Sequence, residues 1–338
     1  MTKTRQARRN KPYSLVSLGD TVVDLVFEIE RLPILAEEVQ KAWGPRLEPG
    51  GSGNLAIAGT RLGLSVHIQG AMGDDSYGHS AAQILAEEGV DISGIVHAPG
   101  SSSTLVLVFV DKAGQHTFLG RYCEGATVSF SALWRKQIET ADAFYTVAYG
   151  LFESQIWRAT PQCFQTARQA GVPIFLDLGP DMAPVPMDTR REACGQCAAI
   201  MGTESEVLVT TAASDVSAGV SVLLDWGAPV VVVKRGANGC RVYTREGMLE
   251  VPAFPVTLRD STAAGDSFDV AFIYGYLCGY PLRDAAIFGN VVGAAKVQKV
   301  GSGRQVPTAQ EVVDVMRAFN VRLPFLAEHG GDAQDGET

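Results

Sequence analysis

Residues 260–268, DSTAAGDSF, place three small residues directly before an acid at the start of an apolar stretch. The stretch predicts a helix, and the small side chains of Ala263, Ala264 and Gly265 would let a ligand approach the backbone closely. The N–H groups of Ala264, Gly265 and Asp266 would then be unpaired at the helix N-terminus, which attracts anions. Because Asp266 would face the bound anion, the segment suits phosphoryl transfer to a hydroxyl, with this carboxylate as the base.

An ordinary capped helix is the alternative interpretation of the same residues. Asp260 or Ser261 could cap the helix through its side chain, and Asp266 would then be an early-turn acid that complements the helix dipole. Short motifs match by chance, so the residues alone leave both interpretations open.

A glycine-rich segment, GGSGN at residues 50–54, precedes apolar text that predicts a second helix. Glycines let backbone N–H groups approach hydroxyl groups, so Gly50 and Gly51 are candidates for binding a polyol. Asn54 offers both a donor and an acceptor for the same purpose. A glycine-rich turn with Asn54 as a helix cap is the structural alternative.

The first predicted strand covers residues 13–18, and two acids follow it. In an open α/β sheet, ligands gather outside the carboxyl ends of the strands. Asp20 and Asp24 therefore stand where the hydroxyl groups of a polyol could be held. The structural alternative for both is a role as turn and cap carboxylates.

Strand-like and helix-like segments alternate along most of the chain, which favours a doubly wound, mostly parallel sheet. Strands are predicted at residues 143–147, 173–178, 198–201 and 229–234, and helices at residues 154–170 and 214–226. The segments 25–47 and 103–122 would form a small separate sheet, and the second of them has the pattern of a hairpin. Without an internal repeat or a long linker, we expect a single domain over residues 13–326, between a disordered basic tail (1–12) and a disordered acidic tail (327–338).

Composition restricts the classes of function. The net charge of −9, from 28 Lys and Arg against 37 Asp and Glu, speaks against general nucleic-acid binding, which requires a basic face. No apolar run reaches the length of a membrane helix, so no membrane partner is expected. Six cysteines are scattered along a chain without a signal peptide, which predicts free thiols and a cytoplasmic location. Cys194 and Cys197 have no second pair or nearby histidine to support a metal site.

Segments near both ends of the chain resemble signatures of the ribokinase-like (PfkB-type) carbohydrate kinases. Residues 260–268 resemble the C-terminal signature D-T-x-G-A-G-D-x-F, with Ala263 in place of the first glycine. Residues 50–56, GGSGNLA, and 70–78, GAMGDDSYG, resemble the N-terminal signature, with one residue fewer than usual between the second glycine and Asn54. The resemblance covers the whole predicted domain. It implies a three-layer α/β/α fold with a β-sheet lid, and ATP-dependent phosphorylation of a primary hydroxyl of a small sugar.

The resemblance also implies roles for individual residues. The sugar would lie against Asp24, Gly50, Gly51 and Asn54 with Asp20 nearby, and the phosphoryl group would be bound and transferred by Ala263, Ala264, Gly265 and Asp266. ATP would lie near Thr203, Lys234, Gly236, Gly239 and Asn290. Glu206 would organise Mg²⁺ through water. A monovalent cation such as K⁺ would be held by backbone carbonyls of Asp260 and Thr262, near residues 301–303. The structural alternatives are a capping Thr203 before helix-start acids, and a solvated Lys234.

The substrate stays open among several classes. Ribokinases tend to place a sugar-binding Glu near the strand end that here reads VAYG, at residues 147–150, which contains no Glu. This departure makes fructose or a keto-deoxy sugar acid as good a candidate substrate as ribose. A nucleoside kinase of the same fold is a second enzyme hypothesis. A non-catalytic sugar- or nucleotide-binding protein is a third, against which the retained Gly265 and Asp266 argue. A homodimer formed through the exposed strand edges of the lid is also expected.

Overall fold

The computed structural model describes residues 11–19, 21–122, 128–152, 156–179 and 182–325. Within these ranges the strands, in chain order, are β1 (Ser14–Leu18), β2 (Val23–Ile29), β3 (Ala42–Pro49), β4 (Ser65–Gly73), β5 (Asp91–Ala98), β6 (Leu105–Val110), β7 (His116–Arg121), β8 (Ala143–Val147), β9 (Ile174–Asp177), β10 (Ala199–Thr203), β11 (Val231–Lys234), β12 (Cys240–Thr244) and β13 (Gly247–Val251). The α-helices of the same ranges are α1 (Ser52–Arg61), α2 (Ser76–Glu87), α3 (Ala132–Thr140), α4 (Thr160–Ala170), α5 (Met187–Cys194), α6 (Glu204–Thr211), α7 (Val216–Asp225), α8 (Ala264–Leu277), α9 (Leu282–Lys296) and α10 (Ala309–Ala318).

The large sheet has the strand order β13-β12-β11-β10-β9-β8-β1-β4-β5. From β11 to β5 all neighbours are parallel, and β12 and β13 add an antiparallel edge. The central strand β1 pairs with β4 on one side and β8 on the other, so the chain winds away from it in both directions. This confirms the predicted doubly wound sheet, whose ligand region lies outside the carboxyl ends of its parallel strands.

Helices cover both faces of this sheet, as a parallel sheet buried on both sides requires. One hydrophobic cluster joins the sheet to α1, α2, α8, α9 and α10, and a second cluster on the other face joins it to α3, α4, α5, α6 and α7. The predicted three-layer α/β/α arrangement is therefore confirmed. Helices α8 and α9 pack closely, which places the start of α8 beside the end of α9.

The small sheet has the strand order β3-β2-β6-β7, in which only the central pair β2 and β6 is parallel. Its predicted segments were 25–47 and 103–122, but the first begins at Val23 and ends at Pro49, because β2 and β3 pair over a longer register. Asp24 thus lies inside strand β2 rather than in a turn after β1. Val26, Val108 and Val110 bury one face of this sheet against Val300 of the main body.

Helix α4 shows where a predicted boundary is wrong. The apolar pattern predicts a helix from residue 154, but the helix begins at Thr160, with Pro161 in its first turn. Proline is compatible with a first turn, where its missing N–H is not needed, and it would break the interior of a helix that started earlier.

Among the residues described, no single helix is long and apolar enough to cross a membrane. Only α6 and α7 taken together meet those two criteria, and they are bent by 59° at their break. Residues 1–10 of the predicted basic tail (1–12) and the whole predicted acidic tail (327–338) lie outside the described ranges.

Candidate active site

Helix α8 begins at Ala264 without a side-chain cap. Ala263, the residue before it, adopts a left-handed conformation with φ 60°. Asp260 is engaged elsewhere, because its carboxylate accepts hydrogen bonds from Thr262 N–H (2.9 Å), Thr262 O–H (2.8 Å) and Gly301 N–H (2.7 Å). The interpretation of this segment as an ordinary side-chain-capped helix is therefore wrong.

Two backbone donors at this helix end are available to bind an anion. The Ala264 N–H donates to the Ser261 carbonyl at 3.1 Å, while the described part of the chain supplies no acceptor for the N–H groups of Gly265 and Asp266. A methyl group added at Gly265 would meet only the Lys234 ammonium, at 3.4 Å, an ordinary contact. The fold itself does not require glycine there, so the space in front of Gly265 is available to a ligand.

Asp266 lies half-buried beside these donors. The Asn54 side-chain N–H donates to the Asp266 carboxylate at 3.0 Å. Burial and the nearby Asp177 carboxylate raise the pKa of Asp266 to about 6, against the opposing effects of Lys234, Asn54 and Lys296. A carboxyl group with this pKa is ionised at neutral pH and can accept a proton from a hydroxyl.

Asn54 connects three distant parts of the chain. Besides its bond to Asp266, its carbonyl oxygen accepts the Gly303 N–H at 2.7 Å. It does not cap α1, because Gly51 is the residue before that helix and has no capping side chain. The suggested cap role of Asn54 is therefore wrong, and its amide lies between two loops of the site.

Asp24 and Gly50 lie on the lid side of the same site. Asp24 is only 5% exposed, and burial, with the Asp266 and Glu48 carboxylates, raises its pKa to about 7. A Cβ added at Gly50 would lie 2.4 Å from the Asp24 carboxyl atoms, so only glycine fits beside this acid. Asp20 lies outside the described residues.

Thr203 and Glu206 form a reciprocal cap at the start of α6, directly after β10. The Thr203 N–H donates to the Glu206 carboxylate at 2.7 Å, and the Glu206 N–H donates to the Thr203 hydroxyl at 3.3 Å. The capping role, which was the structural alternative for this pair, is therefore observed. Only one Glu206 oxygen, Oε2, has a hydrogen-bond partner among the described residues, which leaves Oε1 available to a ligand.

Lys234, at the end of β11, is enclosed by acids rather than solvated. Its ammonium lies 2.7 Å from Asp177 and 3.1 Å from both oxygens of Asp269. Despite burial, these two acids raise the pKa of Lys234 well above its ordinary value. Burial also raises the pKa of Asp269, whereas Lys234, against the effect of burial, lowers the pKa of Asp177.

Gly239 and Asn290 meet at the end of β13. The Asn290 side-chain N–H donates to the carbonyls of Val251 (3.1 Å) and Pro252 (3.0 Å). At Gly239, where φ is 77°, an added Cβ would lie 2.1 Å from the Val251 carbonyl oxygen. Gly236, with φ 55°, begins the short 3₁₀ turn between β11 and β12. These residues shape the backbone beside α9, on the side of the site where the nucleotide is expected.

Sequence reasoning missed several charged residues around the site. Asp269 and Lys296 are fully buried, and Glu48, 2% exposed, binds the Arg304 side chain at 3.0 Å. A signal for the first two was present, because each interrupts an otherwise apolar helical stretch. The partners of Asp269 and Glu48 lie 35 and 256 residues away in the sequence and could not be read from it.

Neither the described cysteines nor the other possible metal ligands of the described residues indicate a metal or redox site. Cys194 and Cys197 are buried, and burial raises the pKa of both thiols. Across the described ranges, no group of three or more His, Cys, Asp or Glu side chains is arranged to hold a metal ion.

A family model described as "pfkB family carbohydrate kinase" matches residues 13–309. This chain belongs to the pfkB family. As a member of it, the protein is a transferase, an ATP-dependent kinase of the sugar and nucleoside kinase class. The resemblance inferred from the N-terminal and C-terminal signatures is thereby confirmed.

Curated relatives span several kinase activities. The chain is 26% identical to a nucleoside kinase of Methanothermobacter thermautotrophicus over 300 residues, covering 88% of this chain and 94% of the relative. It is 27% identical to fructokinase-1 of Zea mays (89% and 97% covered). It is 24% identical to a 5-dehydro-2-deoxygluconokinase of Geobacillus thermodenitrificans (93% and 96% covered). These identities show the family but leave the acceptor undetermined.

Solved structures confirm the ribokinase-like fold of this pfkB protein. An Arabidopsis thaliana ribokinase complexed with ribose and ATP superposes with a TM-score of 0.77 at 22% identity, covering 91% of this chain and 99% of that one. A putative ribokinase II from E. coli in complex with ATP and Mg²⁺ gives 0.76 at 22% identity, with 90% and 99% covered.

Proposed function

We propose that this pfkB protein transfers the γ-phosphoryl group of ATP to a primary hydroxyl of a small sugar, in the class of ribose, fructose or a keto-deoxy sugar acid. One observation supports this most strongly. The Asp266 carboxyl lies directly beside the free N–H groups of Gly265 and Asp266, at a helix end without a cap. A base and an anion site in contact are what in-line transfer to an alcohol requires.

In the proposed reaction, Asp266 accepts the proton of the sugar hydroxyl as its oxygen bonds to the γ-phosphorus. The bond from that phosphorus to the bridging oxygen breaks, and ADP leaves. The N–H groups of Gly265 and Asp266 would hold the charge on the phosphoryl oxygens. The sequence predicted a third unpaired donor at Ala264, but its N–H donates to the Ser261 carbonyl, so Ala264 would contribute as the first residue of the helix and not through a free N–H. Ala263, by turning the chain into the helix, would set the direction of these donors.

The sugar would be bound by acceptors and donors from both sheets. The Asp24 carboxylate would accept hydroxyl hydrogen bonds, and Gly50, which fits closely against Asp24, would let the sugar approach the backbone together with Gly51. Asn54 would orient both the sugar and the Asp266 carboxylate, to which it already donates a hydrogen bond. Asp20 belongs to the same proposal as a further sugar acceptor.

The nucleotide would occupy the side formed by α6, β11 and α9. Mg²⁺ bound with ATP supplies charge neutralisation on the phosphates, and Mg²⁺ usually needs only one or two carboxylates and several waters from its protein. The free Oε1 of Glu206 suits a water of that kind, with Thr203 fixing the side chain. The Lys234 ammonium borders the space next to Gly265, where a Cβ would lie 3.4 Å from it. Gly236, Gly239 and Asn290 would border the adenine.

Replacing the base is the direct test. Asp266→Asn should lower turnover by roughly 100-fold or more, because general-base catalysis contributes about 10²- to 10⁴-fold. The variant should fold, since the raised pKa of Asp266 means that its ionised form costs stability, which the amide removes. Thermal unfolding and a coupled ADP-release assay would measure the two effects.

Asp215→Asn is the matched control. Asp215 caps α7 by accepting the Ala218 N–H at 2.9 Å, and asparagine can cap equally well, so turnover should stay at the wild-type level. An Asp266→Asn enzyme that retains wild-type turnover would remove Asp266 from the role of base.

A nucleoside kinase is the second candidate, favoured by the relative of that name at 26% identity. A panel of ribose, fructose, keto-deoxy sugar acids and nucleosides in the ADP-release assay separates these acceptors by kcat/KM. ADP release that no acceptor stimulates above the blank would favour a sugar- or nucleotide-binding protein without catalysis. A cytoplasmic location and a homodimer formed through the lid complete the proposal.

A further inference from the structure

Lys296, the last residue of α9, is a fully buried lysine that the proposed reaction does not use. Its exposed fraction is 0%, and its ammonium donates to the Lys299 carbonyl at 3.1 Å. No carboxylate of the described residues lies within ion-pair distance of it. Burying an ammonium without an ion pair is costly, so its position calls for a functional reason.

Lys296 lies under the segment that leads into α8. The Arg259 and Asp260 N–H groups donate to the Val297 carbonyl, at 2.7 and 3.2 Å, and the Gly301 N–H donates to the Asp260 carboxylate at 2.7 Å. These bonds tie the end of α9 and the following loop to the start of the anion site.

Charge links the lysine to both acids of that segment. Burial lowers the pKa of Lys296 to about 8, and the negative charges of Asp260 and Asp266 oppose this lowering. Lys296 in turn stabilises the ionised form of Asp266. The ammonium thus donates to the carbonyl of Lys299, and its charge is favoured by the negative charges of Asp260 and Asp266.

This is the region where the resemblance implied a monovalent cation held by backbone carbonyls of Asp260 and Thr262. Such sites replace the hydration shell of K⁺ with carbonyl oxygens. Here a carbonyl of the same region already accepts a hydrogen bond from an ammonium, which carries the same single positive charge. A second cation beside it would be repelled at short range in a poorly hydrated interior. The residues present therefore do not fit K⁺.

We infer that the Lys296 ammonium takes the place of a monovalent cation under the anion site, so that this kinase needs no K⁺ for activity. Lys296 is a positioning residue in this inference, because it supports the 260–265 segment and touches no reacting atom. The inference concerns cation dependence and rests on the proposed kinase activity only for its kinetic readout.

The first test uses the wild-type protein. Its thermal unfolding temperature, and its ADP release with the best acceptor, should be the same in KCl and in choline chloride of equal concentration. An increase of tenfold or more in turnover on replacing choline by K⁺ would overturn the inference. So would a K⁺-specific rise in the unfolding temperature, which requires no activity at all.

The second test removes the ammonium. Lys296→Ala leaves space and carbonyl oxygens, so K⁺ should now raise both the unfolding temperature and the turnover relative to choline. Lys296→Met, which fills the space without charge, should lose turnover by at least tenfold without rescue by K⁺. Indifference of Lys296→Ala to K⁺ in both readouts would also overturn the inference.

Lys299→Met is the matched control. The Lys299 ammonium pairs with Glu311 at 3.0 Å on a more exposed side of the same loop, and only its backbone carbonyl meets Lys296. This variant should remain insensitive to K⁺ in unfolding temperature. If Lys296→Ala yields no folded protein, the wild-type comparison and Lys296→Met still decide the question. Absence of kinase activity in every protein, wild type included, would contradict the proposed function and not the inference about K⁺.

Discussion

The Asp266 carboxyl has a pKa set by opposing neighbours, and this predicts a pH dependence. The base acts only when ionised, so kcat/KM should fall about tenfold per pH unit below pH 6, where the raised pKa lies. Asn54 donates to the ionised form and holds this pKa down. Asn54→Ala should therefore move the acidic limb of the profile to higher pH.

The pH profile of kcat/KM for wild type, Asn54→Ala and Asp215→Asn would measure this effect. Asp215→Asn should reproduce the wild-type limb, because that residue lies at the start of α7, away from the site. An Asn54→Ala limb that stays in place or moves to lower pH would contradict the assigned hydrogen bond.

Gly265 shows how a residue can be dictated by a ligand rather than by the fold. Because an added methyl group would meet only Lys234 at 3.4 Å, Gly265→Ala should fold, with stability equal to wild type or higher by up to about 1 kcal/mol. The methyl group would still stand where the phosphoryl group must approach, so kcat/KM should fall roughly 100-fold.

Urea unfolding and steady-state kinetics of the same Gly265→Ala preparation separate these two effects. Gly50→Ala provides the contrast, because its Cβ would collide with Asp24 at 2.4 Å and should cost stability as well as activity. Unchanged kinetics in Gly265→Ala would mean that nothing approaches this backbone.

At the scale of the element, the start of α8 carries backbone strain. Ala263 adopts φ 60°, a region that costs a residue with a Cβ about 1–2 kcal/mol, and glycine avoids this cost. Ala263→Gly should therefore raise the free energy of unfolding by about 0.5–1 kcal/mol, after the greater freedom of glycine in the unfolded chain is subtracted. Urea unfolding at neutral pH would measure it.

Ala212→Gly, at the end of α6, is the comparison for this prediction. Its φ of 55° gives the same strain outside the site, so the gain in stability should be similar. A loss of stability in Ala263→Gly together with a gain in Ala212→Gly would show that the methyl group of Ala263 makes contacts worth more than the strain.

The elements also show what the sequence can and cannot predict. Alternating apolar segments were sufficient for β8 at Ala143–Val147 and for the doubly wound sheet, because hydrophobic periodicity is local. The left-handed turn at Ala263 could not be predicted, since Asp260 is a plausible cap in the sequence and only the fold brings the Gly301 N–H, 41 residues away, to its carboxylate. The bond of Asn54 to Asp266 likewise spans 212 residues.

At the scale of the whole molecule, the small sheet is fastened to the body close to the site. Arg304 binds Glu48 of β3, Arg46 donates to the Val300 carbonyl at 3.1 Å, and His116 of β7 lies 3.6 Å from Asp260. Each contact joins the lid to the loops that hold Asp260 and Asn54. Movement of the lid would therefore be transmitted to the anion site and the sugar site together.

The outer edge of this sheet leads to the prediction about assembly. Strand β7 exposes apolar side chains on both of its faces, with Phe118 52% and Leu119 62% exposed. Bare strand edges pair with other strands, and a symmetric pair of lids would cover both side chains. We expect light scattering after size exclusion to give twice the 36.0 kDa mass of the chain.

Leu119→Lys should convert this dimer to a monomer, because a charge on an edge strand opposes strand pairing and must be desolvated within an apolar interface. Leu133→Lys introduces the same charge at an exposed position of α3, away from the small sheet, and should leave the mass unchanged. A monomeric wild type at micromolar concentration, or a dimer that survives Leu119→Lys, would mean that the lid edge is not the interface. In that event the exposed apolar edge of β7 would be free to contact the sugar or another protein, and turnover of Leu119→Lys at saturating sugar would distinguish the two, since only the first lowers it.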